Sequence, residues 1–109
     1  EATVLQASHS LQQAYEAHLS GDEALKQALN IAAEIDAAKA QAIATELVPR
    51  AATELFNALG ASDTRLSKAL DRHWRNARTH TLHDPVRWKY HAIGAYTLNG
   101  QLPARHSWI

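Results

Sequence analysis

The sequence contains no cysteine. Disulfide bridges and thiolate-ligated metal centres are therefore excluded, and nothing points to an oxidising compartment. Proline and glycine are scarce, at three and four residues in 109, so little interrupts a regular backbone and long helices are allowed. No apolar run approaches the roughly 18 residues that cross a bilayer, and no secretory signal pattern is present. The expectation is a cytoplasmic protein with no membrane partner. Net charge is also absent, with 11 basic and 11 acidic side chains. Phosphate-cradling glycine loops, Gly-x-Ser-x-Gly elbows and dinucleotide fingerprints are missing, so the chain holds no complete catalytic apparatus of those types.

What the sequence does have is alanine, 22 residues of it. Alanine is the best helix former and lets helices approach closely. At 109 residues the chain makes one small domain. It begins with glutamate rather than methionine, reads as helical from its first residues and offers no convincing cap ahead of Val4. The expectation is a fragment of a longer protein.

The charges are segregated. Residues 1–64 hold three basic and nine acidic side chains, a net of −6. Residues 65–109 hold eight basic and two acidic, a net of +6. The basic half would meet an anion or neutralise the acidic half by packing on it, and the second is the simpler account.

Hydrophobic spacing predicts four helices in an all-α, antiparallel up-down bundle. The first spans 3–19, with Val4, Leu11, Tyr15, His18 and Leu19 along one face, and stops at Ser20-Gly21. The second starts at Asp22 and is apolar on two sides, through Leu25, Leu29, Ala32 and Ala33 and through Ile31, Ile35, Ala38 and Ala42. Such a helix is buried between neighbours. Pro49 should kink it or end it near Leu47, and the pattern resumes to Leu59. A third helix is expected over 65–79, capped by Asp63 or Thr64, with Leu66, Leu70, Trp74 and Ala77 as its apolar stripe. Arg65, Lys68, Arg72 and Arg75 line another face. The link "THTLHD" leads to a fourth helix, with Asp84 as cap and Pro85 at its first position. That helix carries Val86, Tyr90, Ile93 and Thr97 on one side and Trp88, Ala92 and Ala95 on another, and Asn99-Gly100 closes it. In the tail "QLPARHSWI", Trp108 and Ile109 are apolar enough to dock.

Four features carry potential chemistry, each beside a plainer reading. The basic stripe suits a DNA groove, but its helix also needs Leu66, Leu70 and Trp74 for a core and Asp71 interrupts it. Nucleic acid is not the expected partner. His73, His80, His83 and Asp84 are metal-ligand types, yet their spacing matches no strong zinc signature, so no metal site is assigned. His83-Asp84 stands at a helix junction, where an imidazole can donate a proton at neutral pH. On spacing alone, Asp84 as a cap and His83 as packing is the stronger account. Gly60, Ala61 and Ser62 lie between two helices, where glycine admits a ligand to the backbone and a helix start offers N–H groups to an anion. An ordinary turn accounts for them equally simply.

The segment 37–100, and within it "ELFNALGAS", "LDRHWRNART" and "HDPVRWK", resembles the C-terminal helical domain of the acyl-CoA dehydrogenase superfamily. These blocks look most like its flavin-dependent monooxygenase branch, which includes the dibenzothiophene desulfurisation monooxygenase and the sulfur-acquisition oxidoreductases. The resemblance covers roughly residues 30–109. It implies that the 109 residues are one helical-bundle domain of a flavoenzyme of about 400 residues, a length of about three domains, whose N-terminal and middle domains are not part of this chain. Such enzymes are mostly tetramers and take small-molecule substrates. Their flavin, FMN or FAD, lies between the middle domain and the bundle.

By position, the resemblance implies that Gly60, Ala61 and Ser62 contact flavin, standing where the dehydrogenases carry a Gly-Gly motif. It implies catalytic roles for His83 and Asp84. The dehydrogenases carry a Tyr-Glu-Gly run after an R-D-A-R block; here "RNAR" at 75–78 leads to His83-Asp84-Pro85. Asp84 is one methylene shorter than glutamate and Pro85 removes an N–H, which argues against α-proton abstraction from an acyl thioester. His83 matches the histidine that faces flavin in the monooxygenase branch. The implied function is thus a reduced-flavin monooxygenase of sulfur-compound metabolism. An acyl-CoA dehydrogenase with Asp84 as base, or a non-enzymatic helical assembly module, are the alternatives.

Overall fold

A computed structural model describes residues 1–104. Four α-helices follow one another: α1 (Ala2–Ser20), α2 (Glu23–Leu59), α3 (Asp71–His83) and α4 (Arg87–Asn99), with a 3-10 helix at Ala61–Thr64. No strand occurs among the described residues, so the all-α expectation holds. The helices group into two compact units. One holds Glu1–Ala42 together with residues 87–104; the other is Ile43–Val86.

In the first unit, α1 and the front of α2 form a helical hairpin. Gly21 makes the turn in the left-handed region at φ 77°, a conformation that costs a side-chain-bearing residue energy. Ser20 Oγ donates to Ala17 O at 2.8 Å and accepts from Asp22 N at 3.3 Å. Asp22 caps α2, its Oδ1 accepting from Leu25 N at 3.0 Å, and Glu23 adds negative charge to the first turn.

The apolar stripe expected to bury α1 lies on its outside. Val4, Leu11, Tyr15 and Leu19 are 53% to 67% exposed. The buried residues are Ala7, Ser10, Ala14 and Ala17, spaced three and four apart and rotated about 120° from the large side chains at 100° per residue. Small side chains let α1 come closer to α2 than Leu or Tyr would, so the small face takes the seam. On α2 the buried residues are Ala33 on one side and Ile35, Ala38 and Ala42 on another, as its two-sided pattern predicts.

The third helix of this unit buries a face that flanks both predicted ones. Lys89 is 2% and Ala92 8% exposed, while Trp88 and Tyr90 are largely exposed. Lys89, Ala92, Ile93 and Tyr96 share this face. A lysine buried to this extent, ammonium included, is not what hydropathy spacing predicts. α4 ends as expected, with Gly100 at φ 65°. Gly100 N donates to Tyr96 O, the bond of an αL C-cap, and Gln101 N to Ala95 O. Beyond it, Leu102 and Pro103 border an open groove of about 400 Å³ with Glu23, Lys26, Asn30 and Glu34 of α2. Trp108 and Ile109, read as a docking element, lie outside the described residues.

Pro49 neither ends α2 nor splits it. The helix runs unbroken for 37 residues with proline inside. Thr53 Oγ1 donates to Pro49 O at 3.0 Å one turn on.

Candidate functional site

The turn at 60–62 and the junction at 83–84 both belong to the second unit. α2 closes with Gly60 N donating to Phe56 O at 2.9 Å. Gly60 then takes φ 82°, ψ 178°, a region open in practice only to glycine. Nothing lies within 4 Å of where a Cβ would stand, so glycine serves the backbone path here. Gly60, Ala61 and Ser62 are exposed. Ser62 Oγ donates to Asp63 Oδ2 at 3.1 Å, Thr64 Oγ1 to Ala61 O at 2.8 Å, and Asp63 N to Gly60 O at 3.2 Å. Lys68 pairs with Asp63 at 3.7 Å. Beside the turn is an open pocket of about 160 Å³ lined by Phe56, Asp63, Thr64, Arg65, Leu70 and Asp71.

The expected helix at 65–79 is shifted. Asp63 and Thr64 cap nothing there, because the chain first makes one 3-10 turn and then a non-helical bend. Arg65 is extended at ψ 139°. Ala69 is left-handed at φ 48°, and Lys68 N donates to Arg65 O and Ala69 N to Leu66 O across tight turns. Leu66, assigned to the apolar stripe, is 92% exposed. The apolar spacing of 66 and 70 imitates a helix that the left-handed residue between them forbids. Arg65 and Lys68 therefore do not continue the row made by Arg72 and Arg75.

The other end of α3 is longer than expected and includes "THTLH", predicted as a link. No residue of α3 is buried; Trp74 and Leu82 are exposed. Two of its three arginines are engaged locally. Arg75 Nη2 lies 3.3 Å from Asp71 Oδ2, and Arg78 Nη1 donates to Thr81 Oγ1 at 3.2 Å. Such exposed pairs contribute under about 1 kcal/mol each.

His83 is the last helical residue of α3 and is exposed. Asp84 leaves the helix in extended conformation, φ −128°, ψ 104°, and is half-buried. α4 begins only at Arg87, so Asp84 and Pro85 precede it by more than a cap and first position would. No group of three His, Asp or Glu side chains is placed to hold a metal ion among the described residues. No described helix is long and apolar enough to cross a membrane.

Two polar arrangements escaped the sequence pattern. Ser10, 4% exposed, donates from Oγ to Asp36 Oδ2 at 2.7 Å, with Gln6 Nε2 3.3 Å from both groups and Lys39 Nζ 3.1 Å from Oδ1. The Ser10 hydrogen bond holds the Asp36 carboxyl below its ordinary value, with Lys39 and Gln6 helping and partial burial opposing. Ser10's spacing with Ala7, Ala14 and Ala17 was the available signal. The other arrangement is the Arg78–Thr81 contact.

Residues 1–88 match the family described as acyl-CoA dehydrogenase, C-terminal domain. The chain belongs to that family. Its helices alone set this acyl-CoA dehydrogenase C-terminal domain apart from no other all-α protein; the family match does. The domain is also similar to dibenzothiophene monooxygenase of Rhodococcus erythropolis, 44% identical over 63 residues, covering 58% of this chain and 15% of that protein. The dibenzothiophene monooxygenase of Mycolicibacterium goodii matches to the same extent. A probable FMNH2-dependent monooxygenase, SfnC, of Pseudomonas putida is 52% identical over 50 residues, covering 46% of this chain and 13% of that protein. The match thus spans about one seventh of the length of these relatives.

Proposed function

We infer that this domain is the C-terminal part of a larger reduced-flavin-dependent monooxygenase of sulfur-compound metabolism. The observation that carries the reading is the 44% identity over 63 residues to dibenzothiophene monooxygenase. The exposed apolar surface supports it. Among the described residues no large side chain is fully buried, and the core residues are mainly alanine. Leu, Tyr and Trp remain at the surface for other domains and for further copies of the chain to cover, as a homo-oligomer, a tetramer by family resemblance, would. Cytoplasmic location belongs to the same proposal.

The cofactor is flavin, and FMN is favoured by the name of the Pseudomonas putida relative. The turn fits the approach of such a group. Gly60 leaves open space beside its backbone, and Ala61 and Ser62 are exposed. The Asp63 carboxylate beside Ser62 directs the turn toward uncharged hydrogen-bonding atoms of a cofactor rather than toward its phosphate. The helix start there is one 3-10 turn, too short for the dipole of an anion site. Reduced flavin supplies the two electrons with which dioxygen gives one oxygen atom to a small-molecule substrate and one to water. His83 would hold a hydrogen bond to the reacting oxygen and deliver a proton as water leaves. Asp84, next in the chain, would bear on the imidazole or the substrate.

The test is His83→Ala in the intact enzyme. Flavin should still bind while oxygenation is lost. Unchanged oxygenation would remove His83 from the reaction. Steady flavin reduction by acyl-CoA, abolished by Asp84→Asn, would establish dehydrogenase chemistry instead. Tight flavin binding by the isolated 109-residue chain as a monomer would overturn the shared site.

A further inference from the structure

Residues Thr79, His80, Thr81, Leu82 and His83 should not make a good final turn. Two are β-branched threonines, which lose side-chain freedom in a helix. Yet α3 stays helical to His83. Three side-chain hydrogen bonds accompany this stretch. Thr79 Oγ1 donates to Arg75 O at 2.9 Å. Thr81 Oγ1 donates to Arg78 O at 2.9 Å and accepts from Arg78 Nη1 at 3.2 Å. The Thr81 hydroxyl is thus donor and acceptor at once, and both partners belong to Arg78. This ties the side chain and carbonyl of Arg78 to the last turn. A guanidinium there also meets the negative end of the helix dipole favourably.

His83 lies two residues beyond Thr81 and ends the helix. The direction of its Cα–Cβ bond follows from the helical backbone of that turn. If the turn frays, the imidazole points elsewhere.

We propose that Arg78 and Thr81 are positioning residues: together they hold the last turn of α3 helical and so aim the His83 imidazole. The proposal rests on the reading of His83 as a participant in oxygenation. It assigns Thr81 a role that a hydroxyl can fill and an isosteric methyl cannot. Thr81→Val removes both hydrogen bonds while keeping shape, Thr81→Ser keeps both, and Arg78→Met keeps the stem but removes the donor.

The experiment uses the intact flavoenzyme. Oxygenation is measured under steady-state conditions, FMN binding by fluorescence titration, and backbone exchange by mass spectrometry on a peptide covering 79–84. Thr81→Val should lower kcat about two- to fivefold, the factor expected from losing an exposed hydrogen-bonded pair. KM and FMN affinity should stay near wild type, and amide exchange at 82–83 should speed up. Thr81→Ser should restore all three. Arg78→Met combined with Thr81→Val should be no worse than Thr81→Val alone, because the Arg78 side-chain contact is already lost in Thr81→Val. Wild-type kcat in Thr81→Val, with His83→Ala inactive, overturns the positioning role and leaves the reading of His83 intact. Failure of Thr81→Ser to restore kcat overturns it too. Wild-type oxygenation in His83→Ala overturns the reading itself, and the positioning role with it.

Discussion

Replacing Ser10 by alanine tests how the seam between α1 and α2 is held. Ser10 is the only polar residue among the buried positions of α1, and its neighbours there are alanines, so the substitution creates neither cavity nor clash. It deletes a 2.7 Å hydrogen bond to a carboxylate and a 3.3 Å one from Gln6. A hydrogen bond to a charged group contributes about 1.5–3 kcal/mol. Two effects reduce that. The Asp36 side chain is 18% exposed and keeps Lys39 at 3.1 Å, so water and Lys39 take over part of its solvation. Alanine also gains about 0.5 kcal/mol in helix propensity over serine. The net loss is about 1 kcal/mol, a fall in Tm of about 4–6 °C for a domain of this size.

The pH dependence has a definite sign. The folded Asp36 carboxyl titrates below its unfolded value. Its contribution is therefore fully present above about pH 3.9, the unfolded value, and is lost as pH falls through the lower folded value. Thermal unfolding followed by circular dichroism at pH 7 and at pH 2.5 reads both points. The gap between Ser10→Ala and the parent chain should be wider at pH 7 than at pH 2.5. An equal gap at both pH values, or zero coupling between Ser10→Ala and Asp36→Ala in a double-mutant cycle, would refute the reasoning. The same pair fixes register. A slip of one turn would exchange alanines at little packing cost but set Asp36 against a methyl group.

Three further outcomes follow from the backbone. Gly60→Ala should destabilise the chain by about 1–3 kcal/mol, because φ 82° with ψ 178° is strained for alanine although no atom lies near its Cβ; denaturant midpoints measure it. Ala69→Gly should stabilise by about 0.5–1 kcal/mol, since Ala69 pays for a left-handed φ of 48°, and a lower midpoint would show that its methyl packs usefully. Pro49→Ala should raise helix stability by about 1–3 kcal/mol by restoring the missing N–H in α2, and an unchanged Tm would mean that the lost bond is compensated locally.

Much of the helical layout was legible in the sequence. The Ser20-Gly21 stop, the Asp22 start and the Asn99-Gly100 close all depend on local chemistry, a left-handed glycine or a capping oxygen, that a few neighbouring residues carry. The candidate site was legible only as positions. Its Gly60-Ala61-Ser62 and His83-Asp84 segments stand out by resemblance, while the geometry around them does not follow from spacing. Nothing local announces that Ala69 turns left-handed, that Arg78 and Thr81 carry α3 on to His83, or that α2 passes Pro49 without ending.

What the sequence determined by itself was composition and period: an all-α chain rich in alanine, without cysteine, with helices and stops in roughly these places. Which face of α1 and of α4 goes inward was decided by tertiary structure. A period shows that side chains share a face; it does not say what that face meets. Alanine and serine took the inside of α1 because close approach of two backbones favours small side chains, and Val4, Leu11, Tyr15 and Leu19 were left outside. Lys89 went inward on α4 although hydropathy alone would leave a lysine outside.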